Sequence, residues 1–208
     1  MNNKIKFFLN DENCFQKRQI KLINPKGINN PYDFKTPSPI TSKQLELIGN
    51  LGMDIILKHN KDNKKIHLIG IASRGLHMAT AISLALEKES ISNNLSIAKL
   101  DTNEDVCMKC SKQSFNVLID NSIKTGNTLK KTIKQLTSKQ IKIDIIIHLY
   151  DFNVFHTNQK LSEELNIKIE SIFTIKHVIN YFRQYDKLFY AKLFKFYNKY
   201  CKNIHNKT

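Results

Sequence analysis

The segment FNVLIDNSIKTGNTLKKTI, residues 115–133, combines residue types that could bind a sugar phosphate. An apolar run ends at Asp120, and a polar turn containing Gly126 precedes a helical pattern. The first N–H groups of such a helix have no partner within it, so they form an anion site at the positive end of the helix dipole. Gly126 would let an anion approach the backbone closely, and the hydroxyls of Thr125 and Thr128 would add donors. Asp120 would point an acceptor into the same space, where it could hold sugar hydroxyls or a metal's water shell.

The elements around this turn alternate between strand and helix patterns. β-branched and apolar runs predict strands at 65–72, 95–101, 115–120, 141–151 and 167–174. Amphipathic periodicity predicts helices at 42–60 (after a Thr41/Ser42 cap), 75–90, 127–140, 158–166 and from Ile175 to about Lys202. Such alternation indicates βαβ units, so the predicted fold class is α/β, doubly wound, with a mainly parallel sheet. Ligands of these sheets bind beyond the carboxyl ends of the strands, where the turn lies. An ordinary strand–helix loop with a Thr or Asn cap is the alternative for this turn.

Composition limits the other possibilities. The 208 residues predict one domain, and the net charge of +15 comes from lysine, since only three of the 33 basic residues are Arg. These lysines are scattered and accompany many Asn and Ile residues, a bias typical of AT-rich coding. Codon bias rather than nucleic-acid binding is therefore the expected main cause of the charge, and an anionic small substrate fits the charge equally well. The sequence has no membrane-length apolar run and no pattern of a secretory signal, so a cytoplasmic protein is expected.

The four cysteines predict free thiols in that setting. The CMKC motif at 107–110 has the spacing of half a zinc site, but no second pair follows it, so metal or redox chemistry there is a weak alternative. No metal site built from protein side chains is predicted.

Two segments carry a family resemblance. VLIDNSIKTGNTL (117–129) resembles the phosphoribosyl pyrophosphate (PRPP) signature of the type I phosphoribosyltransferases. LIGIASRGLHMATAISLAL (68–86) resembles the strand–turn–helix with which that family binds pyrophosphate. The resemblance implies catalytic or ribose-binding roles for Asp120 and Asn121. It implies a 5′-phosphate site at Lys124, Thr125, Gly126, Asn127 and Thr128, and a pyrophosphate site at Ala72, Ser73, Arg74 and Gly75.

Within that family the chain is similar to the orotate phosphoribosyltransferases, through NPYDF at 30–34 and the segment 144–182. The resemblance covers about residues 22–182. It implies a type I phosphoribosyltransferase domain over 1–208, with an N-terminal hood segment (1–41), a core (42–182) and a C-terminal helix (183–208). It also implies Mg²⁺ bound through PRPP, a homodimer, and a base site at Lys26, Tyr32, Phe34 and Phe152.

Several positions depart from the family pattern. Asn121 stands where the family has a second acid, and Phe152 stands where it has an Arg that would meet orotate's carboxylate. The family's mobile loop, which carries a Lys that stabilises the leaving pyrophosphate, is shorter here and acidic at its start (101–115). Only Lys109 and Lys112 could replace that Lys, and Arg74 is a further candidate.

Three functions from different classes stay open. The first is PRPP-dependent phosphoribosyl transfer to a nucleobase, with orotate as the expected base. The second is a catalytically impaired member of the fold that binds PRPP or nucleotide as a sensor, which Asn121 and the altered loop favour. The third is a basic nucleic-acid-binding protein, since the tail YFRQYDKLFYAKLFKFYNKY interleaves aromatics with lysines. Packing of that tail onto the domain or a dimer partner is expected instead, and His77 and His148 are expected to be structural.

Overall fold

The structure is a computed structural model that describes residues 2–12, 14–17, 20–21, 29–30, 33–34, 40–98, 113–123, 126–151 and 156–202. Its helices are α1 (Asn2–Leu9), α2 (Ser42–His59), α3 (Arg74–Lys88), α4 (Asn127–Ser138), α5 (Thr157–Leu165), α6 (Ile175–Tyr185) and α7 (Lys187–Tyr200). Its strands are β1 (Phe15–Gln16), β2 (Ile20–Lys21), β3 (Asn29–Asn30), β4 (Asp33–Phe34), β5 (Ile66–Ile71), β6 (Asn93–Ala98), β7 (Phe115–Ser122), β8 (Ile145–Asp151) and β9 (Lys168–Thr174).

Five strands form one parallel sheet in the order β6-β5-β7-β8-β9. The chain leaves β5 for β6 on one side and then returns to place β7 on the other side of β5. The loops after β5 and β7 therefore diverge, which creates a crevice at the carboxyl ends of these two strands. The predicted α/β fold with a mainly parallel sheet is confirmed.

The central strands are buried on both faces, which explains their nearly continuous apolar sequences. One face, which includes Val117 and Ile119, packs with residues of α1, α2, α3, α6 and α7. The other, which includes Leu118 and Ile146, packs with residues of α4 and α5. Helices on both faces make the sheet doubly wound. The helix α2 begins with the predicted cap, because the Thr41 hydroxyl accepts from the Gln44 N–H in a capping box.

The N-terminal segment contributes more to the core than the sequence indicated. The helix α1, which the sequence did not predict, buries Ile5 and Phe8, and the Phe8 ring lies 5.0 Å from that of Phe173. The short strands form two antiparallel pairs, β1 with β4 and β2 with β3. The division into 1–41, 42–182 and 183–208 stays a prediction.

The C-terminal tail is helical, as predicted, but it breaks at Asp186. The Asp186 carboxylate accepts the N–H of Phe189 at 2.9 Å and so caps α7. The aromatic side of α7 is buried on the domain through Phe189, Leu193 and Phe196. The expected packing of the tail onto the domain is therefore confirmed.

Two of the four cysteines lie in the described residues. Cys14 and Cys201 are free thiols, as predicted, and burial raises the pKa of each to about 12. Cys107 and Cys110 lie outside the described residues, so the CMKC motif stays a prediction. Among the helices of the described part, none is long and apolar enough to span a membrane.

Candidate functional site

The sheet order brings the two predicted loops together. Both follow neighbouring strands, β5 and β7, at the point where the chain reverses its direction of winding. The first loop leads into α3 on one face of the sheet, and the second leads into α4 on the other face. Each helix therefore presents the N–H groups of its first turn at the same edge of the sheet, where an anion would meet both.

The turn after β5 is held by main-chain contacts. The N–H of Ala72 donates to the carbonyl oxygen of Ala98 at 2.9 Å, and the Ala72–Ser73 peptide bond is cis. Ala72, Ser73 and Arg74 are exposed, whereas Gly75 is buried. A Cβ at Gly75 would collide with the carbonyl oxygen of Ile119 and would lie 3.2 Å from the Cα of Asp120. The start of α3 thus rests directly on the end of β7, and only glycine fits there.

Asp120 and Asn121 lie at the end of β7, both half-buried. The main-chain N–H of Asn121 donates to Oδ1 of Asp120 at 2.7 Å. Burial raises the pKa of Asp120, and this hydrogen bond offsets part of the rise. A partly desolvated carboxylate of this kind gains from donors brought by a ligand, such as sugar hydroxyls.

Gly126 precedes α4 as its N-cap residue, and its own backbone is in the left-handed conformation, with φ of 78°. It has no side chain to cap α4, so the helix start is left open toward the sheet edge. Asn127 and Thr128 follow it and are exposed. A Cβ at Gly126 would lie 2.5 Å from Cδ1 of Leu161, a residue of α5. Leu161 was not predicted to matter, because this contact arises from tertiary packing and leaves no local sequence signal.

The structure brings Ala72–Gly75, Asp120–Asn121 and Gly126–Thr128 to one edge of the sheet. Several predicted site residues lie outside the described residues, namely Lys26, Tyr32, Lys109, Lys112, Lys124, Thr125 and Phe152. Phe34 is described only as backbone, and it pairs with Phe15 across β1 and β4. The roles predicted for all of these residues stay predictions.

His77 and His148, the two histidines expected to be structural, differ in their surroundings. His77 is exposed in the first turn of α3 and lines a groove beside α2. His148 is fully buried on β8, and burial lowers its pKa to about 4. His148 is therefore neutral at physiological pH, in line with the structural part expected of it.

Comparisons with known proteins bear on this geometry. No protein-family model matches the chain. It is 26% identical over 188 residues to the orotate phosphoribosyltransferase of Buchnera aphidicola subsp. Baizongia pistaciae (strain Bp), a match that covers 82% of this chain and 89% of that protein.

Two crystal structures show the same fold. The orotate phosphoribosyltransferase of Francisella tularensis superposes with a TM-score of 0.77 at 21% identity and covers 94% of both chains. The Mycobacterium tuberculosis H37Rv orotate phosphoribosyltransferase, solved in complex with 5-phospho-α-D-ribosyl 1-diphosphate, superposes with a TM-score of 0.55 at 14% identity. That match covers 66% of this chain and 77% of the other. These likenesses confirm the resemblance predicted from the two loops.

Proposed function

We propose that this chain, a divergent relative of the orotate phosphoribosyltransferases, is an enzyme that transfers the phosphoribosyl group of PRPP to a nucleobase. The expected base is orotate, which gives orotidine 5′-monophosphate and pyrophosphate in pyrimidine biosynthesis. The observation that carries the proposal is the close packing of Gly75 against the end of β7, beside Asp120. This contact joins two anion-binding turns into one crevice, as a ligand with a phosphate at each end requires. The named relatives support the same reaction.

In the reaction a ring nitrogen of the base forms a bond to C1 of the ribose. The C1–oxygen bond to pyrophosphate breaks, pyrophosphate leaves with the electron pair, and the base loses its proton to solvent. The protein contributes mainly by positioning the reactants and stabilising charge. We assign the 5′-phosphate to residues 124–128, the ribose to Asp120 and Asn121, and the pyrophosphate to residues 72–75. Arg74, exposed at the start of α3, would stabilise the leaving pyrophosphate.

Mg²⁺ would accompany PRPP at this site. Oxygen atoms are the ligands that Mg²⁺ prefers, and Asp120 places one partly desolvated carboxylate beside the proposed ribose position. The remaining oxygens would come from PRPP and water. When bound, the ion would supply neutralising charge for the leaving pyrophosphate.

The base site is proposed from the resemblance. Phe152 offers no charge to orotate's carboxylate, so Lys26 or Lys35, which flank the NPYDF segment, would supply it. A charge-assisted hydrogen bond of this kind contributes about 1.5–3 kcal/mol. Lys→Ala at the residue that supplies the charge should therefore raise the KM for orotate at least tenfold and leave the KM for PRPP unchanged.

A homodimer is the proposed assembly. The helices α2 and α3 form an apolar groove of about 430 Å³, with Leu84 60% exposed at its edge. Leu95 and Ile97 on the neighbouring edge strand β6 are also exposed. Leu84→Lys should shift the protein to monomers in sedimentation experiments. Leu57→Lys, which changes an exposed leucine elsewhere on α2, is the control and should leave the dimer intact.

Side-by-side assays of orotate, uracil and hypoxanthine with PRPP and Mg²⁺ test the function. We expect turnover of orotate and a thermal shift with PRPP that Gly126→Val abolishes. An equal shift in wild type and variant would mean that the phosphate site lies elsewhere. Faster turnover of uracil or hypoxanthine would make a neutral base the substrate.

A second candidate is a PRPP or nucleotide sensor without turnover. Asn121 favours it, because a neutral side chain stands where the related enzymes have an acid at the ribose. A thermal shift with PRPP, together with no turnover of any of the three bases, would select this reading. A cytoplasmic location stays a prediction.

A further inference from the structure

His148 connects three elements from inside the core. Its Nδ1 lies 3.1 Å from the carbonyl oxygen of Tyr150, on the same strand. Because a carbonyl oxygen only accepts, Nδ1 carries the proton and Nε2 is an acceptor. Nε2 then accepts the side-chain N–H of Asn158, from α5, at 2.8 Å and the hydroxyl of Ser171, from β9, at 3.2 Å. The ring thereby joins the middle of β8 and of β9 to the start of α5.

The helix α5 connects this histidine to the proposed phosphate site. Asn158, which bonds His148, lies in its first turn, and Leu161 lies one turn further on. Leu161 packs against Gly126, the residue that starts α4. The Lys130–Glu164 ion pair, at 2.7 Å, joins the same two helices. A shift of α5 would therefore move or release the first turn of α4.

We propose that the His148–Asn158 hydrogen bond positions the first turn of α4, acting through α5 and Leu161. His148 and Asn158 are thus positioning residues, since neither touches a reacting group. The contacts from His148 through Asn158 and Leu161 to Gly126 are observed in the described residues. That they help to bind a 5′-phosphate rests on the proposed function.

The groups that face His148 define a test. From β7 its register partner is Asp120, and from β9 it is Ser171. From α5 it meets Asn158, and on its own strand the carbonyl of Tyr150. Asn158→Asp would replace a donor by a carboxylate, which accepts only from a protonated ring. The variant should raise the pKa of His148 and make its link to α5 pH-dependent, present below that pKa and lost above it.

The experiment follows the ring of His148 and the backbone amide of Gly126 by NMR, without ligand, from pH 5 to pH 8. In Asn158→Asp the chemical shift of the Gly126 amide should change with pH at the same midpoint as the His148 ring, and in wild type it should not change. The control is Gln159→Glu, which makes the same kind of amide-to-acid change at the next position, an exposed one. In this control too, the Gly126 chemical shift should not change with pH. A His148 titration in Asn158→Asp with a flat Gly126 amide would overturn the proposal.

A second variant keeps the proposal testable should Asn158→Asp not fold. Leu161→Val trims the side chain that contacts Gly126 and leaves the His148 bond intact. It should weaken binding of ribose 5-phosphate at least fivefold and shift the Gly126 amide. Leu165→Val, one turn further along α5 in the same apolar cluster, should do neither. Equal effects of the two variants would also overturn the proposal. Absent binding of ribose 5-phosphate and PRPP to wild type would contradict the proposed function instead, and the amide shifts would still decide the positioning.

Discussion

Two glycines begin helices at the candidate site, and they are required for different physical reasons. At Gly75 a Cβ would collide with the main chain of β7, at the carbonyl oxygen of Ile119. At Gly126 the backbone is left-handed, and a Cβ would meet the end of the Leu161 side chain. A main chain inside a sheet cannot yield, whereas a leucine can change rotamer. The proposed pyrophosphate turn is therefore fixed by the sheet, and the proposed phosphate turn is fixed by a neighbouring helix that can adjust.

The largest effect is expected at the fixed turn. Gly75→Ala should lower the free energy of unfolding by about 3 kcal/mol, because α3 would have to move away from the end of β7. Urea unfolding measures the change, with Ser73→Ala, at an exposed position of the same turn, as the control. A Gly75→Ala protein as stable as wild type would mean that the two main chains are not in contact.

Sequence patterns predicted the elements at this site better than their arrangement. The strands β5 and β7 follow from β-branched runs, and both loops follow from short motifs with glycine and hydroxyl residues. The strand order, which makes the two loops neighbours, depends on how the helices cover the sheet and leaves no local signal. The helix α1 was missed although Ile5, Phe8 and Leu9 have helical spacing, because the pattern spans only two turns.

Other features needed the tertiary structure. The break at Asp186 had a local signal, since Asp is a common N-cap residue whose side chain accepts the N–H of the third residue of the helix. The contacts of Leu161 with Gly126 and of His148 with Asn158 had none. They join residues of different elements, and the side-chain types of these residues suit many environments. A buried histidine on an apolar strand indicates that partners exist, but not which ones.

The second prediction concerns Asp120, which lies where the two turns meet. Asp120→Asn should lower turnover about 100-fold, since it removes charge from the proposed ribose position. The same change should raise stability at pH 7. Because the folded pKa of Asp120 is raised, the folded protein loses stability as the pH rises through it and the carboxyl ionises. The variant would escape that loss.

Turnover at pH 7, and urea unfolding at pH 3 and pH 7, test both parts of this prediction. The stability advantage of Asp120→Asn should be absent below the ordinary pKa of 3.8 and present at pH 7, because the folded pKa of Asp120 is raised above that value. Asp144→Asn would be a poor control, because Asp144 accepts the N–H of Asn116. Asp54→Asn, at an exposed position of α2, is better and should change neither quantity. A lower free energy of unfolding for Asp120→Asn than for wild type at pH 7 would contradict the predicted gain in stability.

The third prediction tests the adjustable turn. Gly126→Ala should cost about 1–2 kcal/mol of stability, the cost of a left-handed alanine, because Leu161 can move aside. It should therefore be less harmful than Gly75→Ala. Gly126→Asn should recover part of the loss, since Asn tolerates the left-handed region. A larger loss for Gly126→Ala than for Gly75→Ala in urea unfolding would reverse the comparison of the two turns.

The smallest expected effect concerns Asn121, beside both turns. Asn121→Asp should raise PRPP-dependent turnover of orotate about tenfold, or 1.4 kcal/mol, because it restores a charged acceptor where positive charge develops on the ribose. The main-chain hydrogen bond to Asp120 survives the change, since it uses the N–H of residue 121. A second carboxylate nearby would, however, raise the pKa of Asp120 further.

The gain should consequently depend on pH. Both carboxylates must be ionised to contribute, so the ratio of variant to wild-type turnover should rise with pH as they ionise. Asn180→Asp, which adds the same charge at an exposed position of α6, should leave the ratio at one throughout. A fall in turnover at pH 8, with PRPP binding unchanged, would mean that Asn121 is suited to a neutral contact with its ligand. The proposed sensor would then explain the crevice between the two turns better than the enzyme does.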